Sequence, residues 1–204
     1  SIISRENRGL VATLNEGLAV TRGELVARMD ADDIAYPWRL SRQVALFEQR
    51  PGLGFCGAGV DMLIRGRIAR GKPDPVFQFG RMPILAMFFT IFMHPTVVYN
   101  RKVIEDAALN YDPTYRHAED FDLFRRLAAR YPAAMMAENL LVYRVHQASV
   151  TNRHSKEMRR THLRIVAENL EREGLADATR DLRDIGEAVS HDTVTRAADF
   201  ILAL

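Results

Sequence analysis

Leu25-Val26-Ala27-Arg28-Met29-Asp30-Ala31-Asp32-Asp33 is the stretch on which the reading of this chain turns. Its first part, 25–29, predicts a mostly buried strand, and that strand runs into three acids within four positions. Alternate residues of an extended segment point the same way, roughly 6–7 Å apart, so Asp30 and Asp32 are expected to project together. They would do so from the carboxyl end of a strand, where open α/β sheets bind ligands. Carboxylates this close repel one another unless a cation joins them. Oxygen ligands suit Mg²⁺ or Mn²⁺, and such an ion would hold a diphosphate and stabilise it as a leaving group. The alternative is a solvated acidic turn in which Asp33 caps the next helix.

Working outward, Asn7-Arg8-Gly9 is a turn signal followed by a helical pattern with Leu10, Leu14 and Leu18, ended by Gly23. Pro37 suits the first turn of a helix whose Leu40, Val44 and Phe47 form an apolar face, stopped by Pro51-Gly52. Residues 53–64 predict a strand rich in small side chains, and 65–80 a long loop. A buried helix over 82–92, a short strand over 96–99 and a helix over 101–109 are expected next. A helix over 119–131 turns Phe124, Leu127 and Tyr131 inward and is stopped by Pro132; 135–143 is the last strand. From His154 the composition shifts to Arg, Glu, Ala and Leu without obvious strands, which predicts two or three amphipathic helices. The expected organisation is an α/β domain over 1–152 with a helical extension over 153–204.

A second acidic group, in His117-Ala118-Glu119-Asp120-Phe121-Asp122, opens an amphipathic helix. Carboxylates there meet the positive end of the macrodipole and unpaired backbone N–H groups, which keeps them ionised and suits a general base. Plain helix capping by acids is the alternative. After the last strand, Tyr143-Arg144-Val145-His146 offers Arg144 to a phosphate and His146 to a metal, against the plainer reading of a structural histidine.

The net charge of +2 is too small to imply a nucleic-acid partner, and the basic residues after Arg153 suit a solvated helix face. Cys56 is the only cysteine, which excludes an intrachain disulfide and a thiolate metal site and fits a reducing, cytoplasmic compartment. The longest apolar stretch, 82–93, contains Pro83 and has roughly half the ~20 residues that span a bilayer.

In order along the chain, Asn7-Arg8-Gly9, Thr13-Leu14-Asn15-Glu16-Gly17, Ala19, Arg22-Gly23-Glu24, 27–33, Pro37-Trp38-Arg39-Leu40 and Gln43 resemble the family 2 glycosyltransferases, which have the GT-A fold. The series continues with His94-Pro95-Thr96, Ala118-Glu119-Asp120-Phe121-Asp122-Leu123, Arg126-Leu127, Tyr143-Arg144 and His146. The resemblance implies a mixed sheet and inverting, metal-dependent transfer of a sugar from a nucleotide diphosphate donor to a saccharide or lipid-linked acceptor hydroxyl. It also implies a setting in cell-surface polysaccharide or glycolipid synthesis, on or near the inner face of the membrane.

By the same analogy Asp32 and Asp30 form the metal element, Asp30 sits nearer the ribose and donor sugar, and His146 lies by the metal with Arg144 beside it. Asp120 is the catalytic base supported by Glu119, and Asn15 and Gly17 shape the nucleotide pocket. The matching pattern begins only at the third segment of such domains, so an N-terminally truncated domain is expected, with an open sheet edge that favours a homo-oligomer. Two other functions compete. A non-catalytic carbohydrate- or protein-binding module derived from a transferase would keep the fold alone. A phosphatase with an Asp-x-Asp nucleophile usually carries Thr or Val where this chain has Ile34.

Overall fold

The computed structural model describes residues 2–72, 82–105, 110–146 and 154–175. Its centre is a 6-stranded mixed sheet in the order β1-β5-β3-β6-β2, with β4 paired to β3 off that path. The strands are β1 (Leu25–Ala27), β2 (Ile34–Ala35), β3 (Phe55–Ile64), β4 (Arg67–Ala69), β5 (Val98–Asn100) and β6 (Ala133–Val145). Only β3 and β6 run parallel; every other pair is antiparallel. The helices are α1 (Leu10–Val20), α2 (Arg39–Gln49), α3 (Met82–Phe88), α4 (Arg101–Glu105), α5 (Glu119–Ala128) and α6 (Ser155–Arg172).

Strand β3 explains why its sequence is rich in small residues. A Cβ on Gly57 would lie 2.4 Å from the Phe92 ring, and one on Gly59 would lie 2.2 Å from Asn139 Oδ1. At Gly59 the register with β6 shifts, passing from Ala58 opposite Met136 to Gly59 opposite Asn139. This bulge lets the Asn139 amide donate both to Asp61 Oδ1 (2.6 Å) and to the Gly71 carbonyl (2.7 Å). The segment read as one long loop instead starts with a hairpin. Arg65 and Gly66, at φ 50° and 79°, form the two-residue turn that pairs Ile64 with Arg67. Residues 73–80 of that expected loop lie outside the described residues.

The core sits between the sheet and α1, α3 and α5. Phe55 of β3, Phe92 and Phe124 of α5 pack as an aromatic group with centroids 5.5, 5.7 and 6.2 Å apart. Such pairs contribute on the order of 0.5–1.5 kcal/mol each beyond buried area. They fix α5, and hence its acidic first turn, over the sheet. On α1 the inward residues are Val11, Leu14 and Leu18, while Leu10 is exposed.

Several boundaries differ from the sequence reading. β1 is three residues long and buries only Val26, because one edge pairs with β5 and the described residues place no strand on the other. The expected buried helix over 82–92 ends at Phe88 and leaves Ile84 and Phe89 exposed. Pro95 sits in a 3-10 turn, His94–Thr96, so the strand there begins at Val98. Helix α4 is described to Glu105, and 106–109 fall outside the described residues. Tyr131 lies beyond the end of α5 yet still packs on the core.

The apolar face expected on α2 is not the inward one. Leu40 and Val44 are exposed, and Arg39, Gln43 and Phe47 point in. Both polar side chains are hydrogen-bonded there, which offsets the cost of burying them. Arg39 donates to the Arg28 carbonyl (2.7 Å) and to Gln43 Oε1 (3.1 Å), and Gln43 donates to the Thr96 carbonyl (2.8 Å).

Helix α6, which falls in the expected helical extension, is packed onto α5. Ile165 and Leu170 join Ala118 and Phe121 in one cluster. Buried Arg125 bridges Asp122 (2.8 Å), Glu168 (2.8 Å) and Asn169 (2.8 Å). The remaining helices expected beyond 175 lie outside the described residues. No helix among the described residues is long and apolar enough to cross a membrane.

Candidate active site

Two sheet pairings assemble the acidic turn. Antiparallel pairing of β2 with β6 sets Ile34 opposite Val142, which carries Arg144 and His146 alongside the residues just before β2. His146 Nε2 consequently lies 3.1 Å from Asp32 Oδ2, the Arg144 N–H donates to Asp33 Oδ1 (2.9 Å), and Arg144 Nε donates to the Asp32 carbonyl (2.8 Å). On the other side, Arg28 extends the β1–β5 contact by donating its N–H to the Val97 carbonyl (2.9 Å).

The three acids have three environments. Asp30 is gripped by Arg28, with Oδ2 at 2.8 Å and Oδ1 at 2.6 Å, a bidentate fork that fixes its direction. Asp32 is about half exposed, like His146. Asp33 is buried, and its Oδ2 has no partner. Burial, with help from Asp30 and Asp32, raises the Asp33 pKa against the lowering effect of the Arg144 N–H. Asp33 caps no helix, since α2 begins after Trp38. The acids follow β1 in a turn, so Asp30 and Asp32 do not project as a pair from an extended strand.

Asp32 Oδ2 and His146 Nε2 are in hydrogen-bonding contact, and they are the pair that would share a divalent ion. Two ligands at right angles, each about 2.1–2.2 Å from one ion, lie roughly 3 Å apart. The observed 3.1 Å between Asp32 Oδ2 and His146 Nε2 agrees with that spacing. Asp30 stands off from them on its arginine.

The second acidic group opens α5 after the cap residue Ala118. Glu119 is buried, while Asp120 keeps partial solvent contact although protein atoms crowd it closely. The sequence argument that a helix N-terminus keeps Asp120 fully ionised meets a stronger effect. Burial first, and the Glu119 charge second, raise its pKa from 3.8 to about 6, against the Phe121 N–H that it accepts at 2.8 Å and the Arg28 charge.

Arg28 was not singled out in the sequence, although it stands two residues before Asp30. Its guanidinium grips Asp30 and its charge lowers the pKa of Asp120, so it links the two acidic groups electrostatically. An arginine next to an Asp-x-Asp strand end was the available signal. His94 is a second such residue. Its Nε2 meets the Tyr111 hydroxyl at 2.6 Å, and burial together with Arg28 holds it neutral, its pKa well below the ordinary histidine range.

Asn15, expected in a nucleotide pocket, is committed to the backbone of Tyr111. It donates to the Tyr111 carbonyl (2.8 Å) and accepts the Tyr111 N–H (3.0 Å). It thereby positions Tyr111 beneath His94. Gly17 on α1 faces open space, so no close approach demands a glycine there.

Residues 1–108 match the family model described as glycosyl transferase family 2. The amylovoran biosynthesis glycosyltransferase AmsE of Erwinia amylovora is 30% identical over 157 residues, covering 72% of this chain and 55% of that protein. The chain spans about half the length of the curated relatives it matches. Among solved structures, S. aureus TarS 1–349 aligns with a TM-score of 0.59 at 14% identity, over 86% of this chain and 49% of that one. The mannosyltransferase PcManGT from Pyrobaculum calidifontis, solved with GDP-Man and Mn²⁺, aligns with a TM-score of 0.57 at 17% identity, over 97% of this chain and 60% of that one. These structures share the fold of the chain.

Proposed function

Because this chain belongs to glycosyl transferase family 2, we propose that it carries the catalytic half of an inverting transferase that uses a nucleotide-diphosphate sugar. What supports this reading is the family match together with the placement of Asp120 beside Glu119 in the first turn of α5, where the charge of Arg28, which grips Asp30, also acts on it. A carboxylate poised near neutrality is matched to taking a proton from a hydroxyl.

In the step, the acceptor oxygen attacks the anomeric carbon while the bond from that carbon to the diphosphate breaks. The hydroxyl proton passes to Asp120, the electron pair leaves with the diphosphate, and the configuration inverts. Glu119 raises the proton affinity of Asp120, and Arg28 keeps Asp30 aimed at the donor's ribose and sugar. Asp32 and His146 would hold Mn²⁺ or Mg²⁺, which when bound supplies charge to the leaving diphosphate. Arg144, exposed beside them, is placed to pair with the same phosphates.

The relatives support a setting in surface-polysaccharide synthesis, since AmsE is named for amylovoran biosynthesis and WbnJ of Escherichia coli for O-antigen biosynthesis. TarS solved with UDP-GlcNAc and PcManGT solved with GDP-Man support a nucleotide-sugar donor of that general kind. The acceptor of this reading is a growing saccharide or lipid-linked chain at the inner face of the membrane. The edge of β1 that faces away from β5 supports a homo-oligomer.

Asp120→Asn in the full-length protein tests the assignment. Transfer should fall at least about 10²-fold, the lower range for a lost general base, with donor affinity nearly unchanged. An Asp120→Asn enzyme as active as the parent would remove Asp120 from the role.

A further inference from the structure

Three residues outside the transfer machinery converge where α6 meets the turn before α5. His117 Nε2 lies 3.2 Å from Glu157 Oε2, and His154 Nδ1 lies 3.8 Å from the same oxygen. The ligand atoms of this trio all fall within 4.8 Å of one another, the one such group of His, Cys, Asp and Glu among the described residues. The two imidazoles stack with centroids 4.2 Å apart and planes 11° apart. Glu157 turns its other oxygen, Oε1, toward Arg116 at 3.9 Å.

His117 stands out within the trio. Its backbone adopts φ 63°, a left-handed conformation uncommon outside glycine, and its side chain is 13% exposed. Its Nε2 is buried and makes no hydrogen bond, because Glu157 sits close but out of line. A buried ring nitrogen without a hydrogen bond, 3.2 Å from a carboxylate oxygen that also lies 3.8 Å from a second imidazole, is a group that a shared cation would satisfy.

We propose that His117, His154 and Glu157 bind a borderline divalent ion of the zinc class. Zinc takes imidazole nitrogen at about 2.0–2.1 Å and carboxylate oxygen at about 2.0–2.2 Å, so tetrahedral ligand atoms lie roughly 3.3–3.5 Å apart. The trio needs its widest pair of ligand atoms, within 4.8 Å, to close by up to about 1.5 Å, plus a turn of one ring about its Cβ–Cγ bond to break the stack. Glu157 and His154 are 47% and 42% exposed, which leaves the fourth position to water. Two imidazoles and one carboxylate favour this class over Mg²⁺ and Mn²⁺, which prefer all-oxygen ligand sets. The ion ties the first turn of α6 to the turn that leads directly into Glu119 and Asp120, and so stiffens the approach to the base.

Untagged protein is titrated with Zn²⁺ against a chromophoric chelator and, in parallel, with Co²⁺ while the visible ligand-field absorbance is recorded. The Asp32→Asn variant removes the diphosphate-side ion site. It is expected to retain zinc uptake and the intense tetrahedral cobalt spectrum. His154→Ala and Glu157→Gln, both at half-exposed positions, are expected to keep the parent far-ultraviolet circular dichroism. Both should lose the cobalt spectrum and bind zinc at least tenfold more weakly, a loss of roughly the size seen even for outer-shell changes. Zinc should raise the melting temperature of the parent and of Asp32→Asn but not of His154→Ala. No zinc uptake by the parent, uptake abolished by Asp32→Asn, or uptake untouched by His154→Ala and Glu157→Gln would each overturn the assignment.

Discussion

Folding raises the Asp120 pKa from 3.8 to about 6, through burial and the neighbouring Glu119 charge. Between those values the native state binds more protons than the unfolded chain, so this group's contribution to stability falls as pH rises through that window. Above it the ionised carboxylate is a fixed penalty, on the order of 1–3 kcal/mol. Removing the charge with Asp120→Asn should therefore raise the melting temperature at pH 8 and have a much smaller effect at pH 4. A variant no more stable than the parent at pH 8 would mean that the raised pKa is absent. The rate of transfer should decline as pH drops through about 6, because a protonated base accepts nothing. At this scale the sequence was legible in residue type and order. Asp30, Asp32, Glu119, Asp120 and His146 are visible as motif positions, but the grip of Arg28 on Asp30 and the burial that raises the Asp120 pKa come only with the fold.

Within the elements, hydrophobic periodicity located most helices and strands but misjudged which face of α2 turns inward. The apolar face was expected on Leu40, Val44 and Phe47, and only the tertiary fold supplies the Arg28 and Thr96 carbonyls that let Arg39 and Gln43 turn inward beside Phe47. Burial lowers the Arg39 pKa, because desolvation disfavours the charged form. The hairpin at Arg65-Gly66 was legible in principle from its glycine, yet a basic residue in the left-handed region is a weak signal. Strand β3 is the element whose composition now has a mechanical reason. Gly59→Val would drive a side chain into Asn139, from a contact already at 2.2 Å for a bare Cβ, and pull the amide from Asp61. Asp61 is strongly held. Burial alone would raise its pKa, but hydrogen bonds from Tyr36, Gly71 and Asn139 outweigh that and keep it below the usual carboxylate range. Gly59→Val should cost on the order of 1–3 kcal/mol by denaturant unfolding, and an unchanged midpoint would refute the bulge's role.

At the scale of the whole molecule, the α/β class and mixed sheet expected from the ordered motifs agree with the topology, and α6 is bound to α5 by the Arg125 network. That network was not legible because Asp122, Arg125 and Glu168 look like ordinary helix-surface charges until two helices meet. Among the described residues no strand pairs with the edge of β1 that faces away from β5, and the proposed oligomer rests on that edge. Light scattering at micromolar concentration should give a mass above one chain, and a clean monomer would argue against association through that edge.

In the proposed function, the turn after β1 and the start of α5 form one metal-assisted donor site. Calorimetric titration of UDP and GDP into the full-length protein, with and without Mn²⁺, tests it most directly, with Asp32→Asn alongside. One nucleotide should bind the parent only with Mn²⁺, and Asp32→Asn should lose that metal dependence together with most of the affinity. Binding that ignores Mn²⁺ and Asp32, or no binding of either nucleotide by a well-folded protein, would contradict it.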